Sequence, residues 1–135
     1  MKINILMLVV PFVWISCADL DFNSENIVGL YEGKLVFLEQ EDRDTVHVET
    51  GSFEFFEDGN LIYENLTDME TDTLEWFLNE SANKLTFRKL TFFGSTQNTI
   101  THFDKDSLRF EGMVLRNLTG GIGTFIRKGE FKRIN

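Results

Sequence analysis

The chain has 135 residues, with 13 basic and 22 acidic side chains and a net charge of −9. An acidic chain of this kind is repelled by phosphate backbones, which argues against nucleic acid as a partner. The single cysteine, Cys17, excludes a disulfide framework, and the length suits one domain able to bury its own core.

Residues 3–15, INILMLVVPFVWI, are apolar except for Asn4 and follow Lys2. A helix needs about 20 apolar residues to cross a bilayer core, so this run is too short to span. It has the length and flanks of a signal-peptide h-region, and Asp19 and Asp21 end it. Two processing readings follow. Ile15-Ser16-Cys17 resembles the end of a bacterial lipobox, after which the Cys17 thiol is diacylated and the chain cut before it; Trp14 stands where a Leu-like residue is usual. Alternatively, Ser16-x-Ala18 is a small-x-small site, and cleavage after Ala18 discards Cys17. The lipobox is favoured, because a sole cysteine directly after an h-region is hard to get by chance. Several acyl chains together anchor stably where one does not. The expected division is a signal peptide at 1–16, a tether at 17–26 and a β-barrel domain at 27–135. Removing residues 1–16 takes away only Lys2, so the remaining 119 residues carry a net charge of −10.

From Ile27 onward the pattern has period two and is rich in β-branched and aromatic residues. A first strand over 27–40 leads through the acidic turn 41–44 to a second over 45–56. There the apolar positions change parity, from Val46 and Val48 to Phe53 and Phe55, which suggests a bulge or corner around Gly51. Asp58-Gly59 predicts a tight type I′ hairpin into a third strand, 60–66. A second acidic turn at 68–72 precedes a strand over 73–80, with Leu74, Trp76 and Leu78 on one face. Ser81-Ala82-Asn83 turns into 84–93, Gly94-Ser95 into 96–103, and 104–106 into 107–117. A Gly-rich connection at 118–123 precedes the last strand, 124–134. Eight strands joined by short turns predict an all-β antiparallel meander. It either closes as an up-and-down barrel or folds as a two-sheet sandwich.

Several stretches resemble the bacterial lipocalin-like lipoproteins: Cys17 after a leader, Gly29-x-Tyr31 opening the first strand, and the hairpin Gly51 to Gly59. "WFLNESANKLTF" (76–87), "ITHFDKDSLRFEG" (100–112) and "TFIRK" (124–128) continue the likeness. In lipocalins the opening motif is Gly-x-Trp, whose ring plugs one barrel end beneath an Arg from the last strand. The resemblance implies that Tyr31 replaces that Trp and that Arg127 is its cation–π partner. It also implies a barrel with room for one small apolar molecule; it does not imply a reaction.

An eight-stranded interior either fills with side chains or holds one small ligand. Tyr31, Phe53, Phe55, Trp76, Phe87, His102 and Phe110 are the expected interior and ligand-lining residues. His102 shares parity with Ile100 and is expected inside, as a hydrogen-bonded core residue; His47, between two valines, is expected near solvent beside Glu49. The acidic turns offer hard oxygen ligands but lack the EF-hand pattern, so no metal or other cofactor is expected. Catalytic signatures such as G-x-S-x-G, a P-loop or H-E-x-x-H are missing from the sequence. Thr45, Thr73 and Ser107 each follow Asp and precede an aliphatic residue where a turn enters a strand, a pattern like that of some periplasmic O-glycosylation sites with the hydroxyl exposed; ordinary turn-edge chemistry is the favoured account. The expected function is therefore non-enzymatic: a lipoprotein of the bacterial cell envelope, held to the membrane through its anchor and binding a small apolar ligand or a partner protein. The alternatives are a secreted form, and a filled barrel acting as an inhibitor or structural interaction module.

Overall fold

The computed structural model describes residues 22–89, 95–118 and 120–135. The predicted signal peptide, Cys17 and the first part of the tether lie outside these residues. Among the described residues no helix is long and apolar enough to cross a membrane.

Eight antiparallel strands close into a barrel: β1 (Gly29–Leu38), β2 (Thr45–Phe55), β3 (Asn60–Asn65), β4 (Glu70–Asn79), β5 (Lys84–Lys89), β6 (Ser95–Phe103), β7 (Ser107–Asn117) and β8 (Ile122–Arg133). Each strand pairs with its successor, and β8 returns to β1 in a register running from Tyr31↔Arg133 to Leu38↔Ile126. The fold is thus the up-and-down barrel rather than the sandwich. Closure satisfies the two backbone edges that an open eight-strand meander would expose.

The N-terminal approach to the barrel differs from the predicted tether. A single helical turn, α1 (Ser24–Ile27), is capped by Asn23, whose side chain accepts from the Asn26 N–H at 2.8 Å. That turn buries Ile27 in the core, and Phe22 packs edge-on against Phe103 with ring centroids 5.3 Å apart. Residues 22–27 therefore belong to the domain and cover one end of the barrel.

The Asp58-Gly59 hairpin forms, though not as type I′. The Gly59 N–H donates to Phe56 C=O (3.1 Å) and the Phe56 N–H to Asn60 C=O (3.0 Å), and of the central residues only Gly59, at φ +85°, is left-handed. This is a type I turn closed by a glycine bulge. The Asp58 carboxylate favours it by accepting from both the backbone and the side-chain amide of Asn60. Those hydrogen bonds favour the charged carboxylate and lower the Asp58 pKa.

Strand β2 departs most from expectation. Its register against β1 and β3 runs unbroken through Gly51, so there is no bulge there. The extra residue lies instead at Val46, between the pairs Phe37↔His47 and Leu38↔Thr45. Parity is constant from His47 to Phe55: His47, Glu49, Gly51, Phe53 and Phe55 point inward, and Val48 lies outside beside Val36. A true bulge occurs at Thr101, where Ile100 pairs with Phe110 and His102 with Arg109. It reverses the facing of β6, so Phe103 turns toward the core and His102 out to solvent.

Aromatic rings fill the middle of the barrel. Phe53 stacks on Tyr63 (4.6 Å) and Phe87 (5.4 Å) and meets Phe131 edge-on (4.8 Å). Phe110 and Phe131 stack in turn at 6.0 Å, and Phe55 meets Tyr31 and Trp76 edge-on. Such contacts are each worth about 0.5–1.5 kcal/mol beyond simple burial. Inward glycines make room for them. A side chain at Gly129 would sit 2.4 Å from the Phe110 ring.

Candidate functional site

The two ends of the barrel differ in chemistry. At the end covered by α1, Tyr31 is fully buried and lies beneath the Arg133 guanidinium, 4.9 Å from the ring centroid. Arg133 also donates to Val28 C=O at 3.1 Å, to Asn26 C=O and to the Tyr31 hydroxyl. One side chain thus ties β8, β1 and the helical turn together. Burial raises the Tyr31 pKa, against the opposing charge and hydrogen bond of Arg133. The expected pair of Tyr31 with Arg127 is corrected here. Both arginines face inward on β8, but Arg133 pairs directly with Tyr31 across the β1/β8 ladder, whereas Arg127 is opposite Phe37, near the other end.

The opposite end is lined by ionic and polar groups. Glu49, on β2, has no solvent exposure. The Tyr63 hydroxyl of β3 donates to its Oε2 at 3.1 Å. Arg116 Nη2, from β7, lies 2.6 Å from its Oε1, and His47 Nε2 lies 3.3 Å from the same atom. Neither of these last two contacts is an aligned hydrogen bond. The Arg116 guanidinium also covers Phe37 at 4.8 Å. Burial, reinforced by the charge and hydrogen bond of Glu49, raises the Tyr63 pKa, so its hydroxyl stays protonated as a donor at neutral pH.

Arg127 stands apart from this ion pair. Its Nη2 donates to Asn98 Oδ1 at 2.8 Å and to Thr96 Oγ1 at 3.1 Å, both on β6 and both uncharged. Asn98 is itself fully buried and held by donation to Leu85 C=O at 3.0 Å. The guanidinium lies over Phe87 and Phe110, 5.6 and 5.8 Å from their centroids. Its Nε is buried without a hydrogen-bond partner, as is that of Arg133. Among the described residues no carboxylate lies within ion-pair distance of Arg127. Burial and the neighbouring Arg116 charge push its pKa down to about 10, against the pull of Tyr63 and Glu49, and it remains a cation at neutral pH.

No family model matches the chain, and no curated protein matches it in sequence.

The expected interior residues Tyr31, Phe53, Phe55, Trp76, Phe87 and Phe110 all face inward and are buried. His102 does not: the Thr101 bulge turns it outward, where its Nε2 contacts Asp104 Oδ2 at 2.8 Å. Of the glycosylation-like positions, Thr45 is exposed where β2 begins, whereas Thr73 is exposed inside β4, opposite Ile62. The Ser107 hydroxyl, expected to be exposed, is part-buried and engaged: both its Oγ and its N–H donate to Asp104 Oδ1, at 3.0 and 2.7 Å. The polar end was not foreseen as a site. Glu49, Tyr63, Asn98, Arg116 and Arg127 come from five strands, and an inward reading of Val46 and Val48 placed the ionic face of β2 outside.

A metal centre was not expected, yet His47, Glu49 and Asp68 bring one ligand atom each to within 4.8 Å of one another. His and two carboxylates are a plausible donor set for Zn²⁺ by type. Arg116 nevertheless occupies the Glu49 oxygen at 2.6 Å, and Asp68 accepts from Asn65 Nδ2 at 3.0 Å. A guanidinium beside the bridging oxygen opposes a second cation there. The arrangement therefore fits a buried ion pair better than a metal centre. On the outer wall, a shallow groove near the Thr101 bulge is lined by Arg109, Glu111, Lys128 and Glu130. Its Lys128 and Glu111 approach each other at 3.5 Å. Val48, Met113, Leu115 and Ile122 add exposed apolar surface around the polar end.

Proposed function

We propose that this chain is a lipid-tethered, lipocalin-like barrel of the bacterial cell envelope that binds a small molecule at its polar end and catalyses no reaction. The barrel itself fits a lipocalin-like fold. The observation that carries the binding reading is the inward ionic cluster of Glu49, Arg116 and Arg127 at one end of a barrel whose middle is apolar. Desolvating charged groups costs several kcal/mol per ion, and apolar side chains would stabilise a purely structural barrel better. Polar groups converging at the mouth of an apolar pocket are what a binding site needs for orientation and selectivity. The tether reading rests on the leader and Cys17, and a short connection from Cys17 to Phe22 would hold the helix-covered end toward the membrane. The polar end would then face away from it.

A second reading has its own support. The rings of Phe53, Phe87, Phe110 and Phe131 pack the middle of the barrel, as they would in a filled module that works through its outer surface. Native mass spectrometry of the protein taken from the membrane fraction separates the two. The binding reading expects a chain that starts at acylated Cys17 and carries a small non-covalent adduct. An unmodified chain starting at Asp19 refutes the tether, and a chain free of adduct that takes up nothing from a lipid extract refutes ligand binding in favour of the filled module.

A further inference from the structure

We infer that the free edge of β7, over Met113–Asn117, is where a partner protein adds an extended apolar segment, flanked by basic residues, as a further strand. This goes beyond the small-molecule reading and holds for an open or a filled interior alike.

The barrel wall forks at this place. β6 and β7 pair from Phe103↔Leu108 as far as Asn98↔Gly112. Beyond that point β6 stays with β5, up to Arg88↔Ser95, while β7 continues with β8 from Met113↔Ile126 to Asn117↔Ile122. Among the described residues no strand pairs with Met113–Asn117 on the β6 side, so the backbone N–H and C=O groups directed there lack a ladder. β1 reaches β8 only as far as Leu38↔Ile126, so Met113–Asn117 and Ile122–Phe125 stand above the wall as a two-stranded ribbon. A Cβ added at Gly120 or Gly121, at its tip, would meet nothing within 4 Å. A lone two-stranded ribbon is marginal in water, and a third strand sharing an apolar face stabilises it.

The two edges of the ribbon are not alike. Gln40 closes the β8 edge, its Nε2 donating to Thr124 C=O at 2.9 Å. The β7 edge lacks the outward charges, prolines and bulges that keep native edges from pairing. From Gly112 to Ile126 the only charged residue is Arg116, which turns inward to Glu49, and there is no proline. The outward side chains are apolar instead: Met113 is 52%, Leu115 68% and Ile122 76% exposed. Such an edge is a template for strand addition, in which main-chain hydrogen bonds give affinity and alternate side chains give selectivity.

Charge selects the occupant. The turn of residues 39–44 packs against the ribbon and the wall below it, through Gln40 on Thr124 and through Arg43 Nη2, 3.1 Å from Glu111 Oε2 on β7. Arg43 is thereby neutralised. Glu39, Glu41, Asp42 and Asp44 have no ion-pair partner among the described residues. These carboxylates beside an apolar edge call for basic groups flanking an apolar core. A second copy fits less well, since it brings the same four carboxylates and a net charge of −9.

Fluorescence anisotropy with the processed chain from the membrane fraction tests this. The probes are two labelled peptides with the same Val-Thr-Val-Thr-Val core, one flanked by paired lysines and the other by paired glutamates. The lysine peptide is expected to bind at least tenfold more tightly and to slow hydrogen exchange at the Met113–Asn117 amides that face β6. Met113→Lys with Leu115→Lys guards the edge and should abolish binding. Glu41→Lys with Asp42→Lys leaves the edge intact and should weaken the lysine peptide at least tenfold. It serves as the second variant if the first fails to fold by circular dichroism. Glu57→Lys, at the opposite end of the barrel, should leave the affinity unchanged. Absence of binding, equal binding of the two peptides, binding that survives in both variants, or an equal loss in Glu57→Lys overturns the inference. So does a dimer in sedimentation equilibrium that Met113→Lys with Leu115→Lys dissolves, which would give the edge to a second copy.

Discussion

Replacing Arg133 by Met probes what holds the helix-covered end of the barrel shut. Methionine keeps much of the aliphatic stem but removes donation to Val28 C=O, Asn26 C=O and the Tyr31 hydroxyl, and the stacking on the Tyr31 ring. Hydrogen bonds from a charged donor contribute about 1.5–3 kcal/mol each, but water can reach some of the freed carbonyls, because Arg133 is only partly buried. Loss of the cation–π contact adds about 0.5–2 kcal/mol. A net loss of about 3 kcal/mol is the expected result. In a domain of this size that lowers Tm by roughly 12 °C, at about 4 °C per kcal/mol. Urea unfolding followed by circular dichroism gives the free energy. A double-mutant cycle with Tyr31→Phe should show coupling of about 1 kcal/mol between the two side chains. A loss below 1 kcal/mol for Arg133→Met, or additivity in the cycle, would refute the view that this arginine closes the barrel. Arg127→Met in the same assay should leave the Tyr31 coupling untouched.

Three further outcomes are expected. Gly33→Ala puts a Cβ 2.0 Å from Glu130 O and 2.8 Å from Phe131 Cα, both backbone atoms of β8. It should therefore cost about 1–3 kcal/mol or more in urea unfolding, while Gly121→Ala, with nothing within 4 Å, should stay within about 0.5 kcal/mol. Phe53→Ala removes the central ring of the aromatic stack and should cost about 3–5 kcal/mol, with Phe53→Leu costing less; equal stabilities would mean the middle of the barrel is loosely packed. Finally, the Asp104 carboxyl is held down at about 2 by its hydrogen bond to His102 and by the Asp106 and Ser107 N–H groups. Its folded pKa lies below the unfolded value, so its stabilising contribution is complete above pH 4 and fades as pH falls toward 2. A carboxyl carbon titration by NMR should show this midpoint, and His102→Ala should move it upward.

Much of the architecture was legible in the residues alone. Period-two alternation, Gly and Asp at the turns and the absence of helical periodicity are local properties, and they placed eight strands in the right order. The inward aromatic residues followed from the same alternation. Alternation cannot tell inside from outside where both faces of a strand carry plausible residues. On β2 the valines suggest one inward face, which would leave the glutamate and histidine of the other in solvent. An extra residue at Thr101 turned His102 outward in the same way, because a bulge shifts facing without leaving a strong mark in composition.

The division between the two levels has one cause. Local backbone preference and the pleat are set by neighbouring residues, so strands, turns and a greasy barrel interior were determined by the sequence itself. Which arginine meets Tyr31, and how Glu49, Tyr63, Asn98, Arg116 and Arg127 converge, depends on the register with which β8 returns to β1 and on the coiling of five strands around a common axis. Those are set by the closing of the ring as a whole, through backbone pairing and the fit of the aromatic core, and only the tertiary structure decides them.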